Sequence, residues 1–512
     1  RIFLGIRVAV PGRRIQNPLG MRRFSKSWPW MLTVVSQFGL AGHLQAASEE
    51  RYLLLDSRIV KSSKNARLVP GTVSKDAANP LFGADRPWEP RFDNMYPNVL
   101  WDEQERIYKC WYCPFIVDER TSKTVPERRR PESTDYMAAR PAGREEAILY
   151  ATSRDGVEWV KPELGIVEFE GSSRNNIVVR GPSGAGVYKD LRDPDPARRY
   201  KAFYASQVGY LQLMRFSRDG IRWGPEVPCP EIEIQSDCHA NMIWSQSLGK
   251  YVGIVRHYDR IPVVGNRKIA RTESVDGVKW TKSTLALAGT PEKQAHDMVI
   301  FEDGGVFLGL LGVMNFPSMK SRNGVRQHIE LAWSPDSVRW FRIAEGMPLV
   351  GNTPGKDPNY GTMPYDWGAL FPSAPVFREG RIEIYYGASD WYFFDWRKSC
   401  LARAILRKDG WAGYEPVDAN QPMEVRTREF AWSGGDLRCC ADLREGGKVR
   451  VTLIDPSGKQ LHSGTLRGKS GELTDEPVAW GKDLHDLKGR KVSLVFRARA
   501  AKLYSFSFGP AQ

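Results

Sequence analysis

The sequence predicts an all-β chain, a five-bladed β-propeller followed by a small C-terminal β-sandwich. One heptapeptide recurs as Ser153-Arg-Asp-Gly-Val-Glu-Trp159, Ser217-Arg-Asp-Gly-Ile-Arg-Trp223, Ser274-Val-Asp-Gly-Val-Lys-Trp280 and Ser334-Pro-Asp-Ser-Val-Arg-Trp340, with a worn copy at Lys408-Asp-Gly-Trp411. The copies lie 57 to 73 residues apart, the length of one four-stranded unit. From about Tyr52, period-2 apolar runs broken by Gly and Pro fill the chain. After about Gln421 the repeat gives way to short alternating strands, which are typical of a sandwich.

Each copy of the repeat reads as a hairpin turn. Asp-Gly between two β-rich runs supplies a residue that tolerates positive φ, and the Ser and Asp side chains can accept hydrogen bonds from the turn's own amides. The trailing Trp should pack between units, so we expect Trp223 and Trp280 to be buried. We therefore interpret the repeat as scaffold at one end of each blade. Long loops occupy the opposite end, where binding residues are commonly found.

The pattern also gives the strands of each unit. We predict inner strands at 96–101, 239–244 and 296–301, and second strands at 107–115, 251–257 and 306–314. Because the loops between second and third strands lie at the same end as the start of each inner strand, functional side chains should collect there, around a central funnel.

Residues 1–46 have the composition of an export signal. They hold seven Lys or Arg and no Asp or Glu, and Met21 opens a basic stretch that precedes an apolar run from Trp28 to Gly42. Leu44-Gln-Ala46 resembles a signal-peptidase site, with cleavage before Ala47. The apolar run is too short to span a bilayer, so we expect export to the periplasm or the cell exterior without a membrane span.

Three segments follow: an upstream extension and signal peptide at 1–46, the propeller with its site at 47–420, and an accessory β-sandwich at 421–512. The formal charge of the chain is +14, but outside residues 1–46 the balance is 67 basic against 60 acidic side chains. Without long basic runs, that excess does not indicate nucleic-acid binding. Seven cysteines is an odd number, and we expect mostly buried thiols, with the disulfide pairing open.

The repeated turns, the Asn79-Pro-Leu and Arg86-Pro-Trp-Glu89 segments and the late Leu503-Tyr-Ser-Phe506 resemble exported bacterial members of a clan of glycoside hydrolases. This clan of five-bladed propellers includes invertase-like (family thirty-two) and arabinanase-like (family forty-three) enzymes, and the resemblance covers roughly residues 50–512. It implies hydrolysis of a glycosidic bond in an oligo- or polysaccharide by carboxylates near the starts of the first three inner strands. That chemistry needs one protonated carboxyl to protonate the leaving oxygen and one ionised carboxylate to attack or to activate water.

Three acids are the predicted catalytic carboxyls, with the order of their roles open. Asp237 precedes inner strand three, Asp297 opens inner strand four, and Glu89 lies on the approach to inner strand one. The stretch that starts the first predicted inner strand, Tyr96-Pro-Asn98, offers no acid. Arg192-Asp-Pro194 copies an invertase signature by letter, but it should fall in a hairpin turn at the opposite end.

The predicted substrate-binding residues are Trp88, His239, Arg256, His296, Arg326 and Asp366. The indole of Trp88 is a face on which a sugar can stack. His239 and His296 hold equivalent places in adjacent blades, where hydrogen bonds to sugar hydroxyls explain them better than metal ligation. Arg256 or Arg326 could hold a carboxylate or sulfate of the substrate. We expect no catalytic metal and no cofactor, with a structural cation on the propeller axis left open, as in some related propellers.

Two other functions stay open beside hydrolysis. One is a non-catalytic glycan-binding propeller, in which the funnel acids only accept hydrogen bonds from hydroxyl groups. The other is a sialidase-like enzyme, since sialidases also repeat an Asp-containing hairpin, although they use six blades and an arginine triad. In every case the partner is a carbohydrate, and we expect a monomer without a nucleic-acid partner.

The signal-like order of residues 1–46 yields a first prediction. The mature protein should begin near Ala47, because the basic, apolar and small-residue segments occur in the order that signal peptidase recognises. Amino-terminal sequencing of exported material measures this directly, and an intact Met21 in that fraction would contradict it.

Overall fold

The computed structural model describes residues 50–129, 143–206, 211–233, 239–259, 264–355, 362–468, 470–481 and 484–509. Five antiparallel sheets form the blades of a propeller. The innermost strands of the five sheets contact one another in a closed order from blade one to blade five and back to blade one. The five-bladed architecture predicted from the repeat is therefore confirmed.

The strands are numbered in chain order. Blade one holds β6 (Arg91–Asp102), β7 (Ile107–Asp118), β8 (Arg144–Ser153), β9 (Trp159–Val160) and β10 (Ile177–Arg180). Blade two holds β11 (Pro182–Lys189), β12 (Tyr200–Ser206), β13 (Gln212–Ser217) and β14 (Val227–Pro228). Blade three holds β15 (Asn241–Ser245), β16 (Lys250–Asp259), β17 (Asn266–Ser274) and β18 (Thr284–Ala288).

Blade four holds β19 (Lys293–Asp303), β20 (Val306–Asn315), β21 (Arg326–Ser334) and β22 (Phe341–Arg342). Blade five holds β23 (Leu370–Pro372), β24 (Val376–Arg378), β25 (Arg381–Ser389) and β26 (Ser399–Arg407). Two short strands from the amino-terminal side, β4 (Ser74–Lys75) and β5 (Phe82–Gly83), pair with β26 and complete this blade. Blade five is thus built from both ends of the propeller sequence.

The repeated heptapeptides form the predicted turns. In the first copy, the Ser153 hydroxyl accepts a hydrogen bond from the Gly156 amide at 2.8 Å, and Asp155 Oδ1 accepts from the Val157 amide at 2.9 Å. Gly156 has a φ of 79°, a conformation that glycine adopts without steric cost. In the fourth copy a serine, Ser337, takes the same conformation with a φ of 63°. These turns are scaffold, as expected.

The tryptophan of the third copy packs on the preceding blade. Trp280 is buried, its ring stacks on Phe203 of β12 with centroids 5.0 Å apart, and its Nε1 donates to Met214 Sδ at 3.1 Å. Trp223, its counterpart in the second copy, is only half-buried. The expectation of burial between blades is therefore confirmed for Trp280 and holds in part for Trp223.

The remaining ten strands form one antiparallel sheet around a separate apolar cluster. They are β1 (Glu50–Leu53), β2 (Val60–Lys64), β3 (Ala66–Pro70), β27 (Ala412–Pro416), β28 (Met423–Thr427), β29 (Phe430–Ala431), β30 (Asp436–Ile454), β31 (Gln460–Leu466), β32 (Gly471–Ala479) and β33 (Lys491–Gly509). The first three come from before the propeller and join the carboxy-terminal strands, which the sequence did not suggest. The domain boundaries at 47 and 421 stay predictions.

Charged side chains tie this sheet to the blades. Arg51 of β1 forms ion pairs with Asp303 at the end of β19 and with Asp409 of the worn fifth turn. Arg407 at the end of β26 donates to the Ala441 carbonyl of β30 at 2.8 Å. The fifth copy of the repeat has therefore lost its serine and gained a contact to the second sheet.

Within the described ranges the helices are few and short: α1 (Glu119–Lys123) and 3-10 turns at Pro126–Arg128, Pro196–Arg198 and His485–Leu487. In the part of the chain that the structure covers, none is long and apolar enough to cross a bilayer. The six cysteines within the described ranges are buried and free, and the seventh, Cys238, lies outside them.

The burial of Trp280 generates a prediction for stability. Trp280→Ala should lower the free energy of unfolding by about 3–5 kcal/mol, because it removes a large ring from between two blades and leaves a cavity. Trp340→Ala, the same change at the half-buried tryptophan of the next copy, is the matched control and should cost less. Denaturant titration measures both. An equal loss in the two variants would contradict this account of the blade contact.

Candidate functional site

A cavity of about 750 Å³ opens at the end of the propeller where the inner strands begin. Three segments form most of its wall: residues 80–92 before and at the start of β6, residues 121–129 after β7, and residues 390–400 around the β25–β26 connection. Met363 and Tyr365, before β23, complete it. The first segment runs from β5 of blade five to β6 of blade one, the second belongs to blade one and the third to blade five. The cavity therefore lies over the seam where the ring of blades closes, at the end predicted to carry function.

The inner strand of blade one starts five residues earlier than predicted. β6 begins at Arg91 and carries two irregularities in its pairing with β7, one on each side of Met95. Met95 and Tyr96 both have positive φ, at 63° and 41°. This kink breaks the period-2 pattern, which is why the sequence suggested a start at Tyr96. Gly387 of β25 makes room for it, since a Cβ there would lie 2.9 Å from the Asn94 carbonyl oxygen.

The longer strand corrects the statement that blade one lacks an acid at this point. Asp93 stands near the start of β6 and accepts a hydrogen bond from Arg397 Nη2 at 2.8 Å. Arg91 Nη2 lies 3.5 Å from the same carboxylate oxygen. Burial alone would raise the pKa of Asp93, but the guanidinium charges of Arg397, Arg91 and Arg144 hold it below its ordinary value. Asp93 is therefore ionised at neutral pH.

Asp390 lines the cavity and is a second carboxyl that the sequence analysis missed. Its Oδ1 accepts a hydrogen bond from the Lys398 amide at 2.7 Å across the neck of the β25–β26 connection. Burial raises the pKa of Asp390 above its ordinary value. The cavity thus combines an ionised carboxylate with one that holds its proton to higher pH.

The predicted catalytic residue Glu89 lines the same cavity, but both of its carboxylate oxygens already accept hydrogen bonds from the protein. Its Oε1 accepts from the Tyr112 hydroxyl at 2.7 Å, and its Oε2 accepts from Lys161 Nζ at 2.7 Å and from the Asp85 amide at 3.1 Å. Lys161 in turn lies 5.0 Å from the ring centroid of Phe82. Burial raises the pKa of Glu89 despite the Lys161 charge. This buried ion pair fastens the lead-in segment to blade one.

Trp88 sits beside this ion pair. Its Nε1 donates to Asn176 Oδ1 at 2.7 Å, and its half-buried ring packs against the apolar cluster of blade one. The Asn176 amide also donates to the Tyr112 hydroxyl at 2.8 Å, so Trp88 and Glu89 belong to one hydrogen-bonded group.

Four predicted residues meet near the propeller axis. His296 Nδ1 lies 2.8 Å from Asp297 Oδ1, and Arg256 Nη2 donates to the His296 carbonyl at 2.7 Å. His239 Nε2 lies 3.1 Å from Asn98 Oδ1. All four predicted side chains are buried.

Aromatic rings cover this axial group. The His296 ring contacts Phe371 and Phe393, with centroids 5.9 and 5.1 Å apart, and Tyr96 lies against His239 at 5.3 Å. Burial lowers the pKa of His239 to about 3, and burial together with nearby arginines holds the pKa of His296 well below its usual range. Both imidazoles are therefore neutral at physiological pH. No set of three or more His, Cys, Asp or Glu suited to a metal occurs within the described ranges.

Asp297 is the most perturbed acid of the axial group. Burial raises its pKa to about 7, against the lowering effects of the Arg256 charge and a hydrogen bond from Gln327 at 3.2 Å. Gly312, its neighbour on β20, leaves the space for this carboxyl, because a Cβ there would lie 2.2 Å from Asp297 Oδ1. None of the described residues named here contacts both Asp297 and Glu89. The two predicted acids therefore occupy separate sites.

Arg326 is the first residue of β21 in blade four, and Asp366 lies in the connection between β22 and β23. Arg326 Nε donates to the Trp367 carbonyl at 2.9 Å, and its guanidinium stacks 4.3 Å from the Trp367 ring centroid. Asp366 is fully buried and pairs with Lys75 of β4 at 2.5 Å. Asp237, a predicted catalytic carboxyl, lies outside the described residues. The Arg192-Asp-Pro194 stretch falls between β11 and β12, a hairpin connection as predicted.

Comparisons with known proteins come only from solved structures, since no family model and no curated protein matches the chain. A β-1,2-mannobiose phosphorylase from Listeria innocua aligns at 12% identity with a TM-score of 0.44, over 65% of this chain and 96% of its own. An N-acetylgalactosamine deacetylase from F. plautii, in complex with blood group B trisaccharide, aligns at 16% and 0.42, over 68% and 97%. The GH43 protein BlXynB from Bacillus licheniformis aligns at 11% and 0.39, over 86% and 98%.

The five-bladed propeller that the sequence resemblance predicted is confirmed by the closed ring of blades in the structure itself. The C-terminal β-sandwich stays a prediction. At these identities and TM-scores the likeness to solved proteins concerns general architecture, and it assigns no chemistry to this chain.

The raised pKa of Asp297 predicts a pH-dependent effect on stability. An aspartate that binds its proton more tightly when folded stabilises the protein below about pH 4, and this contribution is lost as pH rises through about 7. Asp297→Asn, which cannot ionise, should therefore gain stability over the wild type from about pH 4 upward. The gain should level off above about pH 7, on the order of 2–4 kcal/mol.

Denaturant titration at several pH values tests this, with Asp436→Asn at an exposed position of β30 as the control. A difference between Asp297→Asn and wild type that stays constant from pH 4 to about 8 would show that Asp297 is ordinarily ionised in the folded protein.

Proposed function

We propose that this protein hydrolyses a glycosidic bond of an oligo- or polysaccharide in the cavity at the blade-one and blade-five seam. The observation that carries the proposal is a pair of carboxyls, Asp93 and Asp390, whose pKa values are displaced in opposite directions around Arg397. Such a pair divides the roles of base and acid at one working pH.

Asp93 suits the ionised role. Its carboxylate is held by the guanidinium of Arg397, so it stays charged and keeps one orientation. A carboxylate in this state can attack an anomeric carbon or take a proton from water. Its side chain retains 17% exposure, and the residues that bind it line the cavity.

Asp390 suits the protonated role. It lines the cavity, and burial raises its pKa above the ordinary value of an aspartate. A carboxyl of this kind can protonate the leaving oxygen of a glycoside. Arg397 lowers the pKa of both acids, so the two lie within the field of the same charge.

The cavity also has the apolar surface that sugar rings use. Phe82, Tyr365 and Trp396 contribute aromatic rings to its wall. Its volume lies in the range of ordinary small-ligand sites. A sugar unit can therefore pack on a ring while its hydroxyl groups meet the polar side chains.

Glycan binding without catalysis is the second candidate. It is favoured by the states of Glu89 and Asp297, since the first is saturated by hydrogen bonds and the second is buried beneath aromatic rings. In this case Asp93 and Asp390 would only accept hydrogen bonds from hydroxyls. The five blades count against the sialidase-like alternative, which uses six.

We also propose export and a monomeric state, on the signal-like order of residues 1–46 and the absence of any expected partner besides carbohydrate. Asp237 remains a predicted catalytic carboxyl, because it precedes inner strand three, where the clan that the sequence resembles carries one of its carboxylates. Its substitution therefore belongs in the same experiment as those of the cavity acids.

The test is turnover of a panel of aryl glycosides and natural oligosaccharides by purified variants. Asp93→Asn and Asp390→Asn should each reduce turnover at least ~100-fold, the usual worth of these roles. For Asp390→Asn the loss should be smallest on nitrophenyl glycosides, because a good leaving group needs little protonation. For Asp93→Asn the loss should not depend on the leaving group.

Asp193→Asn is the matched control, because it removes an acid at the opposite end of the propeller that copies an invertase signature. Activity per folded molecule should not change in this variant. If Asp237→Asn loses turnover while Asp390→Asn keeps it, the donor role passes to Asp237. If the wild type binds glycans and cleaves none of the panel, binding without catalysis replaces hydrolysis.

A further inference from the structure

The wall of the cavity carries an excess of positive charge. Its cationic lining residues are Arg91, Arg129, Arg397 and Lys398, and its lining carboxyls are Glu89 and Asp390. Glu89 is neutralised within the wall by Lys161. Asp390 is held toward its uncharged form by burial. Asp93, just behind the wall, supplies one negative charge between two of the arginines.

Arg397 is built into this wall with part of its hydrogen-bonding capacity unused. Its side chain has no exposed surface, and its guanidinium lies 4.7 Å from the Phe393 ring centroid. Nη2 donates to Asp93 and to Asn94 Oδ1 at 2.6 Å. Nε and Nη1 have no partner among the residues described. Buried N–H groups without an acceptor are costly, so an acceptor supplied from the cavity would be strongly favoured.

Two further arginines of the cavity wall are held in place by their contacts. Arg91 and Arg129 both stack on the indole of Trp396, at 5.3 and 5.7 Å from the ring centroid. Arg129 is also fixed by hydrogen bonds from Nε to the Thr124 carbonyl at 2.8 Å and from Nη2 to the Thr121 carbonyl at 2.7 Å. Guanidinium groups that are already ordered lose little freedom when they bind an anion.

We propose that the cavity binds an acidic sugar, a glycan unit that carries a carboxylate or a sulfate ester, with Arg397 as the main anion-binding side chain. Lys398, exposed at the mouth, adds a second positive charge. The inference rests on the proposed function, since it names the substrate class of the same site. A cavity of about 750 Å³ is far larger than a bare oxyanion needs, which favours a sugar that bears the anion.

The experiment measures binding and not turnover, so it is independent of hydrolysis. Calorimetry or ligand-observed NMR would compare matched pairs that differ only in the anion: glucuronate with glucose, galacturonate with galactose, and galactose 6-sulfate with galactose. Inorganic phosphate and sulfate form a third arm. The wild type should bind the acidic member of at least one pair about 10- to 100-fold more tightly than its neutral partner, as expected for charge-assisted hydrogen bonds.

Two variants locate the interaction. Arg397→Gln should reduce that preference about 10-fold or more, and Lys398→Gln should reduce it by a smaller factor that depends on salt concentration. Lys398→Gln is included because Arg397 also holds Asp93, and its substitution could unfold the seam. Arg222→Gln, at an exposed position of the second turn at the opposite end, is the control and should leave the preference unchanged.

Equal affinity for acidic and neutral sugars, or a preference that survives both variants, would overturn the inference. Tighter binding of inorganic phosphate than of any sugar acid would also overturn it. Failure of the proposed hydrolysis looks different: selective binding of a sugar acid without cleavage of its glycosides supports the acidic-sugar site and rejects catalysis. Cleavage of neutral glycosides with no preference for acidic sugars supports catalysis and rejects the acidic-sugar site.

Discussion

The contact between Arg397 and Asp93 joins the last blade of the propeller to the first, and much of the structure at the cavity depends on it. A ring of blades must be closed somewhere, and here the β25–β26 connection reaches across the seam to the start of β6. Ser399 adds a hydrogen bond from its hydroxyl to the Asp93 carbonyl at 2.9 Å, and Arg91 returns one to the Asp395 carbonyl at 3.0 Å. The ion pair is buried, so its partners are costly to separate. The same groups form the wall of the cavity.

The scaffold could be predicted because its signals are local. A turn such as Ser153 to Trp159 contains its own hydrogen-bonding groups, and four copies at one spacing reveal the blade. The cavity could not be predicted in the same way. Asp93 and Arg397 are 304 residues apart, and Asp390 lies in blade five, where the repeat is most worn. Their proximity follows from ring closure, which leaves no periodic trace in the sequence.

The kink in β6 is the reason why Asp93 was not recognised as an acid of the first inner strand. Period-2 alternation identifies a strand only while successive side chains alternate, and the positive φ values at Met95 and Tyr96 interrupt that alternation. Residues in such conformations cost about 1–3 kcal/mol each and are concentrated at functional sites. The space provided by Gly387 of the neighbouring blade indicates that the kink is accommodated by the fold around it. A break in a strand pattern beside an acid is thus a signal worth reading in this kind of sequence.

The polar residues near the propeller axis show that a polar sequence position does not reveal whether its side chain is exposed to solvent. His239, His296, Arg256 and Asp297 were expected to line an open funnel, and they do meet, but under the rings of Phe371 and Phe393. A polar residue at the start of an inner strand is expected near the axis, but its identity alone does not show whether solvent reaches it. Here the aromatic residues from blade five decide the matter. They cover the axis, so the accessible polar surface lies at the seam between blades one and five and not at the axis.

Stability alone does not account for the charges at that seam. An ion pair that served only to close the ring would need one arginine and one carboxylate, and excess buried positive charge carries a desolvation cost that further attraction must offset. Buried Arg91 adds to Arg397, with half-buried Arg129 and exposed Lys398 beside them. Asp93 is the one acid there with a lowered pKa, and two nitrogens of Arg397 stay without a protein acceptor among the described residues. Such an arrangement becomes favourable when an anion completes it. The seam is therefore better explained as a binding wall that also closes the propeller than as a closure that happens to be charged.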